Sequence, residues 1–283
     1  MIIDFHTHTF PSRVAARVIE NLSAGGGLEY YTSASAQALT ASMQRSGIDY
    51  SVNLPVMTRP DQVEKVNSDL LRRRQELLSG GIITFGGMHP EFESYRSELR
   101  RLKEGGIKGI KLHPAFQGRD ANDLLYKRII GAASEEDLVC LLHCGYDINF
   151  MDRNFASVPM LLELIRDVQP QKLVLAHMGG WENWDDIERD LAGAPVWMDT
   201  AYSFGSVHVK KGEEDRVPFR ENLSRERFVR LARKQGTDRV LFATDSPWND
   251  QKQYADFLTS TSLTAEEKEA IFAGNARKLL GME

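Results

Sequence analysis

The sequence predicts an α/β protein, a (β/α)8 TIM barrel formed by residues 1–283 as a single domain. Three observations carry this: short apolar runs rich in β-branched residues recur along the whole chain, segments with helical periodicity lie between them, and the runs number eight. Alternating strand and helix implies parallel pairing with right-handed crossovers, because a parallel neighbour is reached only by a long connection. The runs are nearly continuous in apolar residues, as expected when one face lines a barrel interior and the other lies under helices. A doubly wound open sheet would give a similar string, and the count of eight favours closure.

The first strand is IIDFHTH (2–8) and the second DYSVNLPV (49–56), followed by an amphipathic segment over 61–78. IITFGGMH (82–89) precedes a helical segment at 91–104, and IKGIKLH (107–113) precedes one at 122–135. LVCLLHC (138–144) leads to 158–168, where Leu161, Leu162, Ile165 and Val168 return every three or four positions. KLVLAHM (172–178), PVWMDT (195–200) and RVLFATD (239–245) are the last three strands, with a helical segment at 224–235 before the final one. The charged stretch from Tyr202 to Glu221 is long for a barrel connection and reads as a solvated loop, a lid or an interface.

Hydrophobic residues make up 42% and charged residues 27% of the 283, the balance of a globular protein with a sizeable core. A formal net charge of -5 gives no bulk attraction to nucleic acid or to anionic membranes, so the expected partner is a small molecule. No apolar stretch approaches the twenty residues a membrane span needs, and no leader precedes the first strand. Cys140 and Cys144, on one strand, would lie roughly 13 Å apart, too far for a disulfide, which fits a reducing cytoplasm. Barrels of this size often pair, so a homodimer is compatible with the sequence, which shows no surface for it.

In an α/β barrel the active site lies at the C-terminal ends of the strands. His6 and His8 end the first strand, His89 the third, His113 the fourth, His143 the fifth and His177 the sixth, while Asp245 closes the eighth. Only His208 falls elsewhere. His6 and His8 share strand parity, so two imidazoles converge, and a metal ion supplies one partner for both. Val139, Leu141 and His143 share a face, as do Leu241, Ala243 and Asp245, so these polar residues also project into the barrel mouth. Zn²⁺ accepts such a mixture of imidazole and carboxylate while keeping a position open for water, and Mn²⁺, Fe²⁺, Co²⁺ or Ni²⁺ can use the same set.

With DFHTH, GIKLHP, LLHCG, LVLAHMGG and LFATDSPW in this order, the chain resembles the amidohydrolase superfamily over essentially its whole length. The resemblance is to the amidohydrolase-related branch that includes the aminocarboxymuconate-semialdehyde decarboxylase type. It implies His6, His8, His143 and Asp245 as ligands of one divalent metal, and His177 as a further ligand or as the group that polarises substrate or activates water. Asp245 and His177 are then the candidate catalytic residues of a metal-dependent hydrolase acting on an amide, ester or lactone through an activated water. A metal-dependent, oxygen-independent decarboxylase on the same ligand set is the alternative, and a non-catalytic binding barrel is another. A TatD-type nuclease is disfavoured by Lys111, where those proteins place a glutamate. Lys111, His113, His89 and Trp248 are candidate substrate contacts; some superfamily members carboxylate a lysine on the fourth strand to bridge two metals, and the KLHP motif around Lys111 departs from that pattern. Arg119 and Arg153, in loops on the active-site side, are candidate anchors for a substrate carboxylate.

Overall fold

The computed structural model describes residues 1–216 and 221–282. Residues 217–220 of the expected lid or interface stretch therefore lie outside the described residues. In chain order the strands are β1 (Ile3–Thr7), β2 (Tyr50–Asn53), β3 (Ile82–Thr84), β4 (Gly86–Gly87), β5 (Gly109–Leu112), β6 (Val139–Leu142), β7 (Leu173–Leu175), β8 (Trp197–Asp199) and β9 (Val240–Leu241). β3 and β4 are one barrel position broken at Phe85, so the eight expected runs fill eight positions.

Every pairing is parallel and sequential, β1 to β3 in one ladder and β4 to β9 in the other. Phe85 N donates to Asn53 O at 3.0 Å and so carries the ladder across the break. The ring closes between β1 and the segment after β9: Phe5 N to Phe242 O at 2.8 Å, Asp245 N to His6 O at 2.9 Å and His8 N to Ser246 O at 2.7 Å. The expected TIM barrel is the observed fold.

Alternation along the strands separates two cores. Ile3, Phe5, Val52, Phe85, Val139, Leu141, Val174, Leu241 and Ala243 pack together inside the barrel, whereas Ile110, Leu112, Cys140, Leu142, Leu173 and Leu175 pack under the helices. Strict alternation from Ile3 and Phe5 would turn His6 outward. Instead the register of β1 on β2 shifts between Asp4 and Thr7, as a bulge does when it re-aims a side chain. Phe5 therefore joins the interior cluster while His6, its neighbour, reaches Lys111 and Asp199.

The five expected helical segments appear as Val63–Ser79, Tyr95–Glu104, Leu124–Glu135, Val158–Val168 and Arg225–Gln235. Their starts are set locally: the Asp123 side chain accepts from Leu125 N and the Ser224 side chain from Arg227 N. Two further helices, Ser12–Gly26 and Ala36–Ser46, fill the first crossover, and Gln251–Thr259 and Asn275–Leu280 follow the last strand. The end of the first of these lies against the loop after β6, where a Cβ on Gly26 would stand 2.9 Å from Ile148. Leu28 and Val209 form an antiparallel bridge, with Glu29 N to His208 O at 2.9 Å and Lys210 N to Gly27 O at 2.8 Å, so the 202–210 stretch is tied to the chain beside the mouth.

Candidate active site

The strand ends deliver the polar residues. His113 follows β5 and His143 follows β6 by one residue, Asp199 ends β8, and His8, His177 and Asp245 lie just beyond β1, β7 and β9. His177 and Asp245 hold φ of 62° and 64°, a conformation that non-glycine residues adopt only when the surroundings impose it.

His6 Nδ1 lies 2.9 Å from Asp199 Oδ2, and His8 Nδ1 lies 2.7 Å from Leu54 O. A carboxylate and a carbonyl only accept, so both rings carry their hydrogen on Nδ1 and turn bare Nε2 lone pairs inward. These two Nε2 atoms are 3.2 Å apart, and Asp245 Oδ1 stands 3.2 Å from His8 Nε2 and 3.6 Å from His6 Nε2. Asp245 Oδ1 is buried and has no hydrogen-bond partner. The donor in reach is Lys111 Nζ, 3.2 Å from His6 Nε2.

Beside them His177 Nδ1 donates to Ala201 O at 2.8 Å and His143 Nε2 to Tyr146 O at 3.3 Å. The remaining nitrogens, His177 Nε2 and His143 Nδ1, face each other at 2.9 Å. Lone pairs turned toward one another repel unless a cation lies among them. The three edges of the His6, His8 and Asp245 triangle match ligand atoms about 3.3 Å apart, the spacing around an ion with bonds of about 2.0–2.1 Å. The donor set fits a divalent cation. Burial holds His6, His143 and His177 below the ordinary imidazole range, which keeps them neutral, as ligation requires.

A second cluster joins His113, His143 and Asp147. The His113 and His143 rings are stacked with centroids 3.9 Å apart, and Asp147 Oδ2 lies 3.6 Å from His113 Nε2 and 3.9 Å from His143 Nε2.

The family model described as amidohydrolase matches residues 3–282. The chain belongs to the amidohydrolase family. Solved structures similar to this chain include an uncharacterised TIM-barrel protein from Bordetella bronchiseptica, 17% identical with a TM-score of 0.73 over 99% of this chain and 98% of that one. A dihydroxybenzoic acid decarboxylase from Polaromonas sp. JS666, with bound manganese and the inhibitor 2-nitroresorcinol, is 14% identical with a TM-score of 0.69 over 99% and 97%. A candidate 2-pyrone-4,6-dicarboxylic acid hydrolase from Pseudomonas putida is 16% identical with a TM-score of 0.67 over 100% and 98%. At these identities the likeness is one of fold. No curated protein matches the sequence.

In this member of the amidohydrolase family the structure brings His6, His8, His143, His177, Asp245, Lys111 and His113 to one mouth. Lys111 is buried, and burial pushes its ammonium down to about 8. His89 stands apart: its Nδ1 accepts from Glu91 N at 3.2 Å, and its charged neighbours are Glu91 and Arg119. Trp248 packs half-buried against the outer core, directly after cis-Pro247. Arg119 is held by Glu91 and Asp123, and Arg153 by Asp120, so both expected anchors are engaged in surface ion pairs. Sequence reasoning missed three acids. Asp199 carried the same signal as Asp245, a carboxylate at the end of an apolar run. Asp4 faces the opposite side of β1, where it accepts from Thr244 and Gln251. Asp147 sits in a loop with nothing in the sequence to mark it.

Proposed function

We propose that this amidohydrolase is a metal-dependent hydrolase that adds water to the carbonyl carbon of a small-molecule amide, ester or lactone. The observation that carries the reading is the triangle of bare acceptor atoms, His6 Nε2, His8 Nε2 and Asp245 Oδ1, with Asp245 Oδ1 buried and unpartnered. His6, His8, His143 and Asp245 would be the donors to one divalent cation, with His177 beside them, and with zinc the first choice for imidazole and carboxylate and manganese next. When bound, such a cation supplies Lewis acidity, polarising a carbonyl oxygen and lowering the pKa of a water.

The chain's own groups supply the rest. The Asp245 carboxylate takes a proton from the attacking water and returns it to the leaving group. His177 Nε2, whose ring hydrogen is committed to Ala201 O, accepts a hydrogen bond from that water. Asp199 keeps His6 in the tautomer that leaves Nε2 free. Lys111 supplies positive charge beside His6 for the oxygen that gains charge as water adds. The near-complete burial of these side chains excludes bulk water and strengthens each of these interactions.

A buried ammonium at the mouth also favours a second reading, decarboxylation, because Lys111 can hold a substrate carboxylate; the decarboxylase with bound manganese shares the fold. A screen of zinc- and manganese-loaded protein against lactones, cyclic amides, esters and aryl carboxylates, run in ¹⁸O-water with carbon dioxide detection, separates the two. Label in the product supports the hydrolase. Carbon dioxide without label supports the lyase, and turnover that persists in metal-free protein overturns both. Two free, buried cysteines support a reducing compartment, and no helix among the described residues is long and apolar enough to cross a membrane.

A further inference from the structure

The two histidine clusters carry opposite hydrogen patterns. In the first, the facing nitrogens are bare. In the second, His113 Nδ1 accepts from Phe116 N at 3.4 Å, which puts the ring hydrogen on Nε2, and His143 Nε2 donates to Tyr146 O. Composition alone would make His113, His143 and Asp147 a second metal site. The hydrogens argue against it, and so does the stacking: rings inclined by only 12° with centroids 3.9 Å apart keep their in-plane lone pairs in two separate, nearly parallel planes, which do not meet at one ion.

What remains is a donor and an acceptor separated by a gap. His113 Nε2–H looks toward Asp147 Oδ2 across 3.6 Å, too far for a hydrogen bond. Asp147 does not close the distance, because its Oδ1 is fixed by Asn149 N at 2.8 Å and Asn149 Nδ2 at 3.3 Å. One oxygen placed about 2.8 Å from both atoms would accept from His113 and donate to Asp147. A hydroxyl does both at once, whereas an ether or a carbonyl oxygen does only the first. Phe116 stands edge-on to His113 at 4.7 Å and Phe150 edge-on to Phe116 at 5.2 Å.

We propose that His113 and Asp147 bind a hydroxyl of the substrate and so restrict this amidohydrolase to hydroxylated compounds, Asp147 being the specificity-determining residue. The proposal rests on the reading of His6, His8 and Asp245 as the metal centre, since that centre fixes where the reacting end of the substrate lies.

The test is calorimetric titration of the zinc-loaded chain with 2- and 3-hydroxybenzoate and with their methoxy counterparts. In the wild type one hydroxy acid should bind about tenfold or more tightly than its methoxy partner, the ratio expected of a hydrogen bond to a charged acceptor. Asp147→Ala should bring that ratio to within about twofold while leaving the methoxybenzoate affinity of the zinc-loaded chain unchanged, and Asp147→Asn, which keeps an acceptor, should restore part of it. A ratio that survives Asp147→Ala, a wild type that does not discriminate, or probes that fail to bind at millimolar concentration would overturn the proposal. So would a second zinc lost with Asp147→Ala. A wild-type chain that takes up no zinc would instead overturn the metal reading beneath it.

Discussion

Asp199 Oδ2 lies 2.9 Å from His6 Nδ1, while Asp199 Oδ1 accepts from the backbone nitrogens of His177 and Ala201, each at 3.0 Å. One buried carboxylate therefore sets the tautomer of His6 and the backbone position of His177. Removing such a group behind a metal ligand typically weakens binding 10- to 100-fold. Asp199→Ala should raise the zinc dissociation constant within that range, read by competition with a chromophoric chelator.

Asp245→Asn exchanges one anionic oxygen for a neutral amide at the triangle with His6 and His8. Metal content by elemental mass spectrometry should fall well below that of the wild type while far-ultraviolet circular dichroism is unchanged. Turnover of any substrate found should be lost with it. Full metal content in the variant would remove Asp245 from the ligand set.

Asp4 accepts from His6 N and Thr244 N on one oxygen and from Thr244 Oγ1 and Gln251 Nε2 on the other. An amide nitrogen at either position would confront donors with a donor. Asp4→Asn should therefore destabilise by about 2–3 kcal/mol, seen as a lower urea midpoint at unchanged m-value.

Glu182 is pushed up to about 7 by burial, against the opposing pull of Arg227. The folded chain thus holds a proton that the unfolded chain, with an ordinary glutamate near 4.5, has already lost. Stability from this group is greatest below about 4.5 and declines as pH rises toward 7. The melting temperature of Glu182→Gln should match the wild type at pH 4.5 and exceed it at pH 8. A difference that does not change with pH would refute the assignment.

Gly145 holds φ of 81°, and a Cβ there would stand 2.3 Å from Trp181 O. Around it Tyr146 N donates to Trp181 O and Trp181 N to Cys144 O, each at 3.1 Å. Gly145→Ala should separate the loop carrying Asp147 from the turn after β7. Limited proteolysis should then cut within 146–156 faster than in the wild type.

The barrel was legible because its strands announce themselves: each is buried on both faces, so apolar runs and their spacing are sufficient. The helices of the first crossover, Ser12–Gly26 and Ala36–Ser46, were not among the expected segments, and small and polar residues blur the apolar stripe of the second. At the mouth, histidines ending apolar runs pointed to the candidate site, whereas His89 shares that signal and serves its own loop. The tautomers on which the proposed metal centre rests depend on carbonyls contributed by Leu54, Ala201 and Tyr146. No residue-by-residue pattern records those.

The register shift in β1 bears on transplantation. Residues 4–7 are the unit that turns His6 toward Lys111 while Phe5 stays in the interior core. A histidine pair copied onto a regularly alternating strand of another barrel would present His6 to the surrounding helices. An engineer borrowing this centre has to take the irregular backbone along with the ligands.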